Sequence, residues 1–271
     1  MRFSVLASGS TGNAFFIGTD RCAFLVDAGL SGKQVEKLLD SVGVKPTELN
    51  GILVTHEHND HIKGVGVLAR KYQLPVYANE ATWARLPALI GEVPEKQQEV
   101  FRTNTQITLG DLDIQSYGIS HDAAEPVGFC FYHGIHKLAL TTDLGYVSQR
   151  IKETILGADI FVFESNHDVE LLRMGSYPWH IKQRILSDSG HLSNEDAGEA
   201  LLHVITERTK QVYLAHLSKE NNMVELAHMT VNNILSENGI KVNHDLQLLN
   251  TSPVHPTPMV RLDKGHALRV G

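Results

Sequence analysis

One short loop carries the densest group of metal-binding side chains in this chain. His56, His58, Asp60 and His61 lie within residues 54–61, directly after an apolar run that indicates a buried strand. Imidazole nitrogen and carboxylate oxygen are ligands that zinc, iron and manganese prefer. We expect the first two histidines to face one ion and Asp60 and His61 to face another. The loop therefore predicts a two-metal site, provided that other segments supply the missing ligands.

Three later residues follow predicted strands and complete the expected ligand set. His121, Asp143 and His216 come after apolar or alternating runs at 114–119 and 138–142 and at 212–215. The predicted ligands of one ion are His56, His58 and His121, and those of the other are Asp60, His61 and His216, with Asp143 bridging the two. Two ions roughly 3.5–4 Å apart can generate a hydroxide and stabilise a displacement at phosphorus. As alternatives, His121 is an ordinary turn residue and Asp143 a charge at a helix N-terminus.

The elements that position these residues follow from the hydrophobic pattern. Early stretches alternate like strands, and later apolar strands are separated by amphipathic segments. A helix is expected from Ser31, with Gln34 placed for a capping box, and another from Ser193. Two β-sheets packed face to face with helices outside, an α/β four-layer αββα sandwich, fit this order. We expect one domain over residues 1–250 and a poorly ordered tail over 251–271.

Composition limits the function classes. The chain has 271 residues, of which 42% are hydrophobic, so it can build a real core. Cys22 and Cys130 lie in apolar contexts and are expected to be free thiols. Neither a signal peptide nor a bilayer-spanning run is evident, so we expect a cytoplasmic protein without membrane contact. A net charge of −7 argues against a broad basic nucleic-acid face. The negative charge does not exclude a phosphate substrate, because bound divalent ions reverse the sign of the electrostatic field locally.

These motifs resemble those of the metallo-β-lactamase-fold hydrolases. The matching residues are Asp27, the histidine–aspartate run at 56–61, His121, Asp143 and His216, in the family's order. The resemblance implies that Asp27 supports a ligand histidine from behind. The local detail is similar to the YycJ/WalJ-like (VicX) group, in the segments 6–10, 54–58, 120–123, 142–146, 164–167, 190–194 and 216–222. That group implies a cytoplasmic 5′→3′ exonuclease on DNA ends, linked to mismatch repair and encoded near a cell-wall two-component system.

A second resemblance, to tRNA 3′-processing enzymes, implies a proton donor. In those enzymes a glutamate at a strand end pairs with a histidine before a helix, and Glu164 and His191 match these two positions. An imidazole oriented by a carboxylate is a suitable general acid near neutral pH. The chain lacks the long arm with which those enzymes hold tRNA, which argues against a tRNA substrate. The alternative is that His191 only caps the following helix.

The predicted reaction is hydrolysis of a phosphodiester. A hydroxide between the ions attacks phosphorus, Asp60 or Asp143 orients it, and His191, held by Glu164, protonates the departing oxygen. The predicted phosphate contacts are Ser10, Asn13 and Asn166, of which the first two lie in a glycine-containing turn that is either an anion-binding nest or a plain hairpin turn. The cations expected near the mouth of the site are Lys33, Lys63 and Lys219.

Two other functions remain open at this point. One is a small-molecule hydrolase acting on a cyclic phosphodiester, a thioester or a lactone, which predicts a closed pocket and no activity on DNA. The other is a metal-stabilised, non-catalytic partner of a two-component system, although such a scaffold needs neither Glu164 nor His191. The sequence does not separate zinc, manganese and iron, and it leaves the oligomeric state open.

Overall fold

A computed structural model describes residues 1–262 and the backbone of residues 269–270, and it contains two mixed β-sheets. In the first sheet the neighbouring strands are, in order, β15 (Arg269–Val270), β14 (Val260–Arg261), β1 (Arg2–Ala7), β2 (Ala14–Gly18), β3 (Ala23–Val26), β4 (Gly51–Leu53), β5 (Val76–Ala78) and β6 (Gln98–Val100). The second sheet runs β13 (Gln247–Asn250), β12 (Gln211–Ala215), β11 (Ile160–Glu164), β10 (His136–Thr141), β9 (Val127–His133), β8 (Leu112–Gly118) and β7 (Gln106–Leu109).

Ten α-helices are present in the described part of the chain. They are α1 (Gly32–Ser41), α2 (Asn59–Ile62), α3 (Val65–Tyr72), α4 (Glu80–Trp83), α5 (Leu86–Ile90), α6 (Gln149–Ile155), α7 (Val169–Met174), α8 (Trp179–Ile185), α9 (Asn194–Val204) and α10 (Val224–Glu237). The predicted capping box of α1 is present, with Ser31 and Gln34 bonded reciprocally. Ser193 caps α9 by accepting a hydrogen bond from the Asp196 amide. None of these helices is long and apolar enough to cross a bilayer.

The buried apolar side chains form three clusters, one between each pair of adjacent layers, which confirms the predicted four-layer αββα architecture. The central cluster combines residues of both sheets, such as Phe3 and Phe15 with Phe129 and Phe131. A second cluster joins the outer face of the first sheet to α1 and α3. The third joins the outer face of the second sheet to α6, α9 and α10. Each sheet is therefore buried on both faces over much of its area, and the polar site residues gather at the strand ends.

Strand direction decides which loops meet. In the first sheet β3 and β4 are parallel, and in the second β10, β11 and β12 are parallel. The carboxyl ends of parallel strands lie at one edge of a sheet, so the segments that follow them are neighbours. The loops after β4, β10 and β12 consequently bring the 54–61 run, Asp143 and His216 together between the two sheets.

Two details differ from the sequence-based expectation. The sequence at residues 98–108 is β-rich and indicates one extended stretch, but the structure divides it between the sheets, since β6 belongs to the first and β7 to the second. A local pattern identifies extended chain without specifying its partner strand. The tail expected to be poorly ordered from residue 251 contains β14, which pairs with β1, and Thr257 accepts a hydrogen bond from the Val5 amide at 3.0 Å. A two-residue strand carries no periodicity, and the tail at 263–268 and 271 lies outside the described residues.

Candidate metal centre

The 54–61 loop gathers its ligands because a short helix begins within it. The β4 strand ends at Leu53, and His58 precedes the first turn of α2 in an extended conformation. His61 lies inside α2 and is fully buried, whereas the Asp60 side chain is 27% exposed. Extended backbone followed by one helical turn thus directs several side chains of a single loop toward one point.

Three imidazoles form the first of two groups of candidate ligands. One ligand nitrogen from each of His56, His58 and His121 lies within 4.8 Å of the others. His58 Nδ1 and His121 Nε2 are 3.2 Å apart. Nε2 of His56 is buried and has no hydrogen-bond partner among the described residues. A buried nitrogen without a partner is costly, and convergent imidazoles fit a divalent cation such as zinc.

The second group combines a carboxylate with two imidazoles. Ligand atoms of Asp60, His61 and His216 also lie within 4.8 Å of one another. Oδ2 of Asp60 is 3.7 Å from Nε2 of His61 and 3.5 Å from Nε2 of His216. This mixed donor set suits zinc, manganese and iron alike.

Asp143 lies between the two groups. Its Oδ2 is 3.2 Å from Nε2 of His61, and its Oδ1 is 3.4 Å from Nε2 of His216 and 3.8 Å from Nε2 of His121. The carboxylate thus reaches one imidazole of the first group and two of the second. All seven predicted ligands converge, and the clusters of histidine and aspartate indicate divalent metal binding.

Asp27 supports His61 from the side away from the cluster. Its Oδ2 is 2.7 Å from Nδ1 of His61, and its Oδ1 accepts a hydrogen bond from the Thr55 amide at 2.9 Å. The Thr55 hydroxyl donates to Oδ2 at 2.8 Å. A carboxylate behind a ligand histidine fixes the orientation and tautomer of the ring. Thr55 was not among the predicted site residues, and its place beside His56 was its only signal in the sequence.

Three site residues share an unusual backbone conformation. Asp27, Asp143 and His216 follow strand ends with φ angles of 59°, 61° and 57°, in the left-handed region. Few residues other than glycine adopt this region, although aspartate and histidine do so more often than most. The sharp turn directs each side chain back toward the edge between the sheets, and such conformations cluster at functional sites.

Glu164 orients two histidines at once. Its Oε1 is 2.9 Å from Nδ1 of His191 and 2.9 Å from Nδ1 of His216. Its Oε2 accepts the amide of Leu144 at 2.9 Å and that of Leu192 at 3.3 Å. Burial alone would raise the pKa of Glu164, but the two imidazoles and their hydrogen bonds hold it at about 2. The carboxylate therefore remains ionised at neutral pH.

The two groups differ in charge when no metal is bound. Burial, followed by the charge of His61, holds the pKa of His56 well below its usual value, and burial also lowers the pKa of His121. Burial alone would lower the pKa of His61, but Asp143 and Asp27 raise it well above the usual value. Against the same effect of burial, Asp143 and other carboxylates raise the pKa of His216 to about 10. His56 and His121 are consequently neutral near pH 7, whereas His61 and His216 are protonated.

The predicted phosphate contacts divide into two kinds. Ser10 and Asn166 line a pocket of about 270 Å³ that also contains His58, Asp60, His121, Asp143, His191 and His216. Asn13 is fully buried, where its side chain accepts from the Gly9 amide at 3.0 Å and lies 3.1 Å from Nε2 of His61. Asn13 does not line the pocket, because its amide is used within the turn and against a ligand histidine, and its contact with substrate stays a prediction.

The opposite wall of the pocket was not identified from the sequence. Tyr177, Ile181, Arg184 and Ile185, on α8 and just before it, line this wall. Half-buried aliphatic residues on a short helix give the same pattern as a helix packed on the core, so the sequence held no distinguishing signal. Lys33, Lys63 and Lys219, expected at the mouth, do not line the pocket, and Arg184 is its cationic lining residue.

Comparison with known proteins gives a consistent assignment. The family model for the metallo-beta-lactamase superfamily matches residues 7–216. The chain is 57% identical over 257 residues to exodeoxyribonuclease YycJ of Bacillus anthracis, covering 95% of this chain and 97% of that protein. It is 49% identical to exodeoxyribonuclease WalJ of Streptococcus pneumoniae, covering 96% and 98%.

Structural similarity agrees at the level of the fold. The crystal structure of the metallo-beta-lactamase fold protein YhfI from Bacillus subtilis superposes with a TM-score of 0.73 at 17% identity, covering 94% of this chain and 98% of that one. The human tRNase Z short form superposes with a TM-score of 0.64 at 14% identity, covering 95% and 98%. The chain therefore belongs to the metallo-β-lactamase superfamily and, within it, to the YycJ/WalJ group.

Proposed function

We propose that this chain is a metal-dependent phosphodiesterase that removes nucleotides from the 5′ ends of DNA. The high identity to two proteins named exodeoxyribonucleases, over nearly their whole length, supports DNA as the substrate. The oriented His191 beside the ligand cluster supports hydrolysis of an ester whose leaving group needs a proton. Its side chain is 18% exposed, and Nδ1 contacts Glu164, which leaves Nε2 for the pocket.

We propose that the cluster holds two divalent ions. His56, His58 and His121 would hold one, and Asp60, His61 and His216 the other, with Asp143 shared. When bound, such ions lower the pKa of a coordinated water and neutralise charge that develops on a phosphoryl group. The donor atoms fit zinc, manganese and iron, so the identity of the metal is left to measurement.

The residues of the chain supply positioning and proton transfer. Asp60 and Asp143 present carboxylate oxygens where the attacking water must lose its proton, and either can orient that water. His191 donates the proton from Nε2 to the departing oxygen. Glu164 keeps Nδ1 of His191 hydrogen-bonded, so that the ring presents its other nitrogen to the pocket.

The substrate phosphate is held by small polar groups rather than by a basic patch. Ser10, Asn166 and Ser218 line the pocket beside the cluster. The hydroxyl groups of Ser10 and Ser218 can donate hydrogen bonds to phosphate oxygens. The amide nitrogen of Asn166 already donates to the carbonyl oxygen of His216 at 2.8 Å, and its second N–H can serve the phosphate. This arrangement suits a chain of net charge −7, because attraction for phosphate then depends on the bound ions and not on a wide cationic surface.

The test is a comparison of DNA ends with the metal-loaded protein. Single strands carrying a 5′ phosphate or a 5′ hydroxyl are incubated with the intact protein and with His56→Ala as the control. We expect nucleotide release from the 5′ end by the intact protein and little by the variant. Release from the 3′ end, or equal release by the variant, would contradict the proposal.

A small-molecule hydrolase is the second candidate. The pocket of about 270 Å³ is slightly smaller than the roughly 300 Å³ at which typical ligand sites begin, so it also suits a compact ester. Turnover of bis(p-nitrophenyl) phosphate without any activity on DNA or RNA would favour this candidate. Absence of turnover on every ester tested would favour the non-catalytic partner of a two-component system.

We further propose a cytoplasmic location. Cys22 and Cys130 are both buried and free, which suits a reducing compartment. Labelling of both thiols after denaturation of protein isolated under thiol-blocking conditions would test this. Recovery of either cysteine in a disulfide would contradict it.

A further inference from the structure

A helical segment after β11 covers one side of the candidate site. We define residues 168–190, which contain α7 and α8, as the cap. The turn between its helices is fixed by Lys182, which is only 8% exposed. The ammonium group of Lys182 donates to the carbonyl oxygens of Arg173 and Gly175, both at 2.7 Å. These two hydrogen bonds satisfy the buried charge and link α8 to the C-terminal end of α7.

The cap is also tied to the loop that carries a candidate ligand. The Ser120 hydroxyl donates to the carbonyl oxygen of Asp188 at 2.6 Å. Nδ1 of His121 lies 3.2 Å from the carbonyl oxygen of Gly190. Arg184 forms an ion pair with Asp122. The position of the cap relative to the cluster is therefore set by the same loop that presents His121.

The two walls of the pocket differ in chemistry. The cluster side carries imidazoles, carboxylates and small polar groups, where a phosphate belongs. The cap side presents the half-buried side chains of Tyr177, Ile181 and Ile185. Its cation, Arg184, is already paired with Asp122. An apolar and aromatic wall of this kind offers a phosphate no partner, but it suits the flat face of a nucleobase.

We propose that the cap, chiefly through Tyr177 with Ile181 beside it, binds the nucleobase of the terminal nucleotide while the cluster side holds the scissile phosphate. This inference rests on the proposed nuclease function, and it names what the enzyme recognises beyond the phosphate. Every base has a π-face, so stacking is tolerant of sequence. The pocket of about 270 Å³ is of a size to take the single terminal nucleotide.

Two consequences follow from stacking on Tyr177. A terminal base that is paired in a duplex must leave its partner to reach the cap, so unpaired or frayed ends are preferred. Partial burial, and then the charge of Glu220, raise the pKa of Tyr177, so its phenol stays neutral beside an anionic strand. The ring contributes through its face, and Phe can therefore replace it.

The experiment compares two 5′-phosphorylated single strands that differ only at the terminal nucleotide. One begins with thymidine and the other with an abasic tetrahydrofuran residue. For the intact metal-loaded protein, we expect the abasic strand to have a KM about tenfold higher, with kcat little changed. Tyr177→Ala should raise the KM of the thymidine strand by a similar factor and so remove the difference between the strands. Tyr177→Phe should restore both the low KM of the thymidine strand and that difference.

The controls separate this inference from the function on which it rests. Trp179 is 63% exposed on the same helix and does not line the pocket, so Trp179→Ala should keep the difference between the two strands. Turnover of bis(p-nitrophenyl) phosphate should also be unchanged in Trp179→Ala, which shows that loss of an exposed aromatic residue of the cap leaves the metal centre intact. Equal KM for both strands with intact protein would overturn the stacking inference alone. No nucleotide release from either strand, with turnover of the small ester preserved, would overturn the nuclease function and the inference together.

Discussion

Oε1 of Glu164 lies 2.9 Å from Nδ1 of His216, a candidate metal ligand on the neighbouring parallel strand end. The same oxygen lies 2.9 Å from Nδ1 of His191. The resemblance to tRNA 3′-processing enzymes pairs Glu164 with His191 alone. One buried carboxylate thus contacts both the proposed proton donor and a proposed ligand. In the proposed mechanism, this side chain couples metal ligation to proton transfer.

Substitution of Glu164 should therefore affect two properties at once. We expect Glu164→Gln to weaken metal affinity about 10- to 100-fold, because the ring of His216 loses its charged partner. A fall in kcat should persist at saturating metal, since His191 also loses its orientation. Metal affinity is measured with a competing chelator, and Glu237→Gln, at an exposed position on α10, is the matched control. Normal kcat at saturating metal would contradict the positioning of His191 by Glu164.

The role of His191 predicts a dependence on the leaving group. His191→Ala should lower kcat on DNA by about 100- to 10,000-fold, the usual contribution of a general acid. On bis(p-nitrophenyl) phosphate the loss should be far smaller, because p-nitrophenolate departs without protonation. His203→Ala, at an exposed position on α9, serves as the control, and metal content is compared among the proteins. Equal losses on both substrates would mean that His191 has a structural role.

Metal binding should release protons. In the metal-free protein the pKa of His216 is about 10 and that of His61 is well above the usual value, so both rings are protonated near neutral pH. Coordination through Nε2 requires each ring to lose that proton. Calorimetric titration with zinc in buffers of different ionisation enthalpy should show release of about two protons. Release of none would mean that these imidazoles are already neutral or that they do not bind the ion.

The same pKa shifts make the stability of the metal-free protein depend on pH. Because the folded pKa values of His61 and His216 are raised, their charged forms contribute fully below the ordinary value of about 6.5. That contribution is lost as the pH rises toward the folded pKa, about 10 for His216. Thermal unfolding of chelator-treated protein should therefore show a Tm that falls over this range. The metal-loaded protein should not show that fall, since its ligands carry no proton at Nε2.

Asn13 and Ser10 should respond in opposite ways to alanine substitution. Asn13→Ala leaves the Gly9 amide without its acceptor, and such a loss costs about 1–3 kcal/mol of unfolding free energy. Ser10→Ala, at an exposed position in the pocket lining, should leave stability unchanged and raise the KM for DNA. Chemical denaturation and steady-state kinetics on the two variants check both statements. Unchanged stability with a raised KM for Asn13→Ala would support it as a substrate contact.

The ligand types and their order could be predicted from the sequence. The run at 56–61 concentrates four donors in one loop, and His121, Asp143 and His216 each follow an apolar strand. An apolar composition indicates a buried strand, and a polar residue directly after such a strand lies at an edge of the sheet. The layered fold could be predicted for the same reason, because its apolar faces repeat along the chain.

Which polar groups already have partners within the protein depends on packing between distant segments. Nothing in the order of residues distinguishes Asn13, whose amide is used inside its turn, from Ser10, which lines the pocket. The second partner of Glu164, the pairing of Arg184 with Asp122 and the apolar wall at Tyr177 likewise depend on how distant segments pack. The type of a residue limits what its side chain can bind. Its actual partners depend on contacts between segments far apart in the chain, and the local sequence pattern does not specify those contacts.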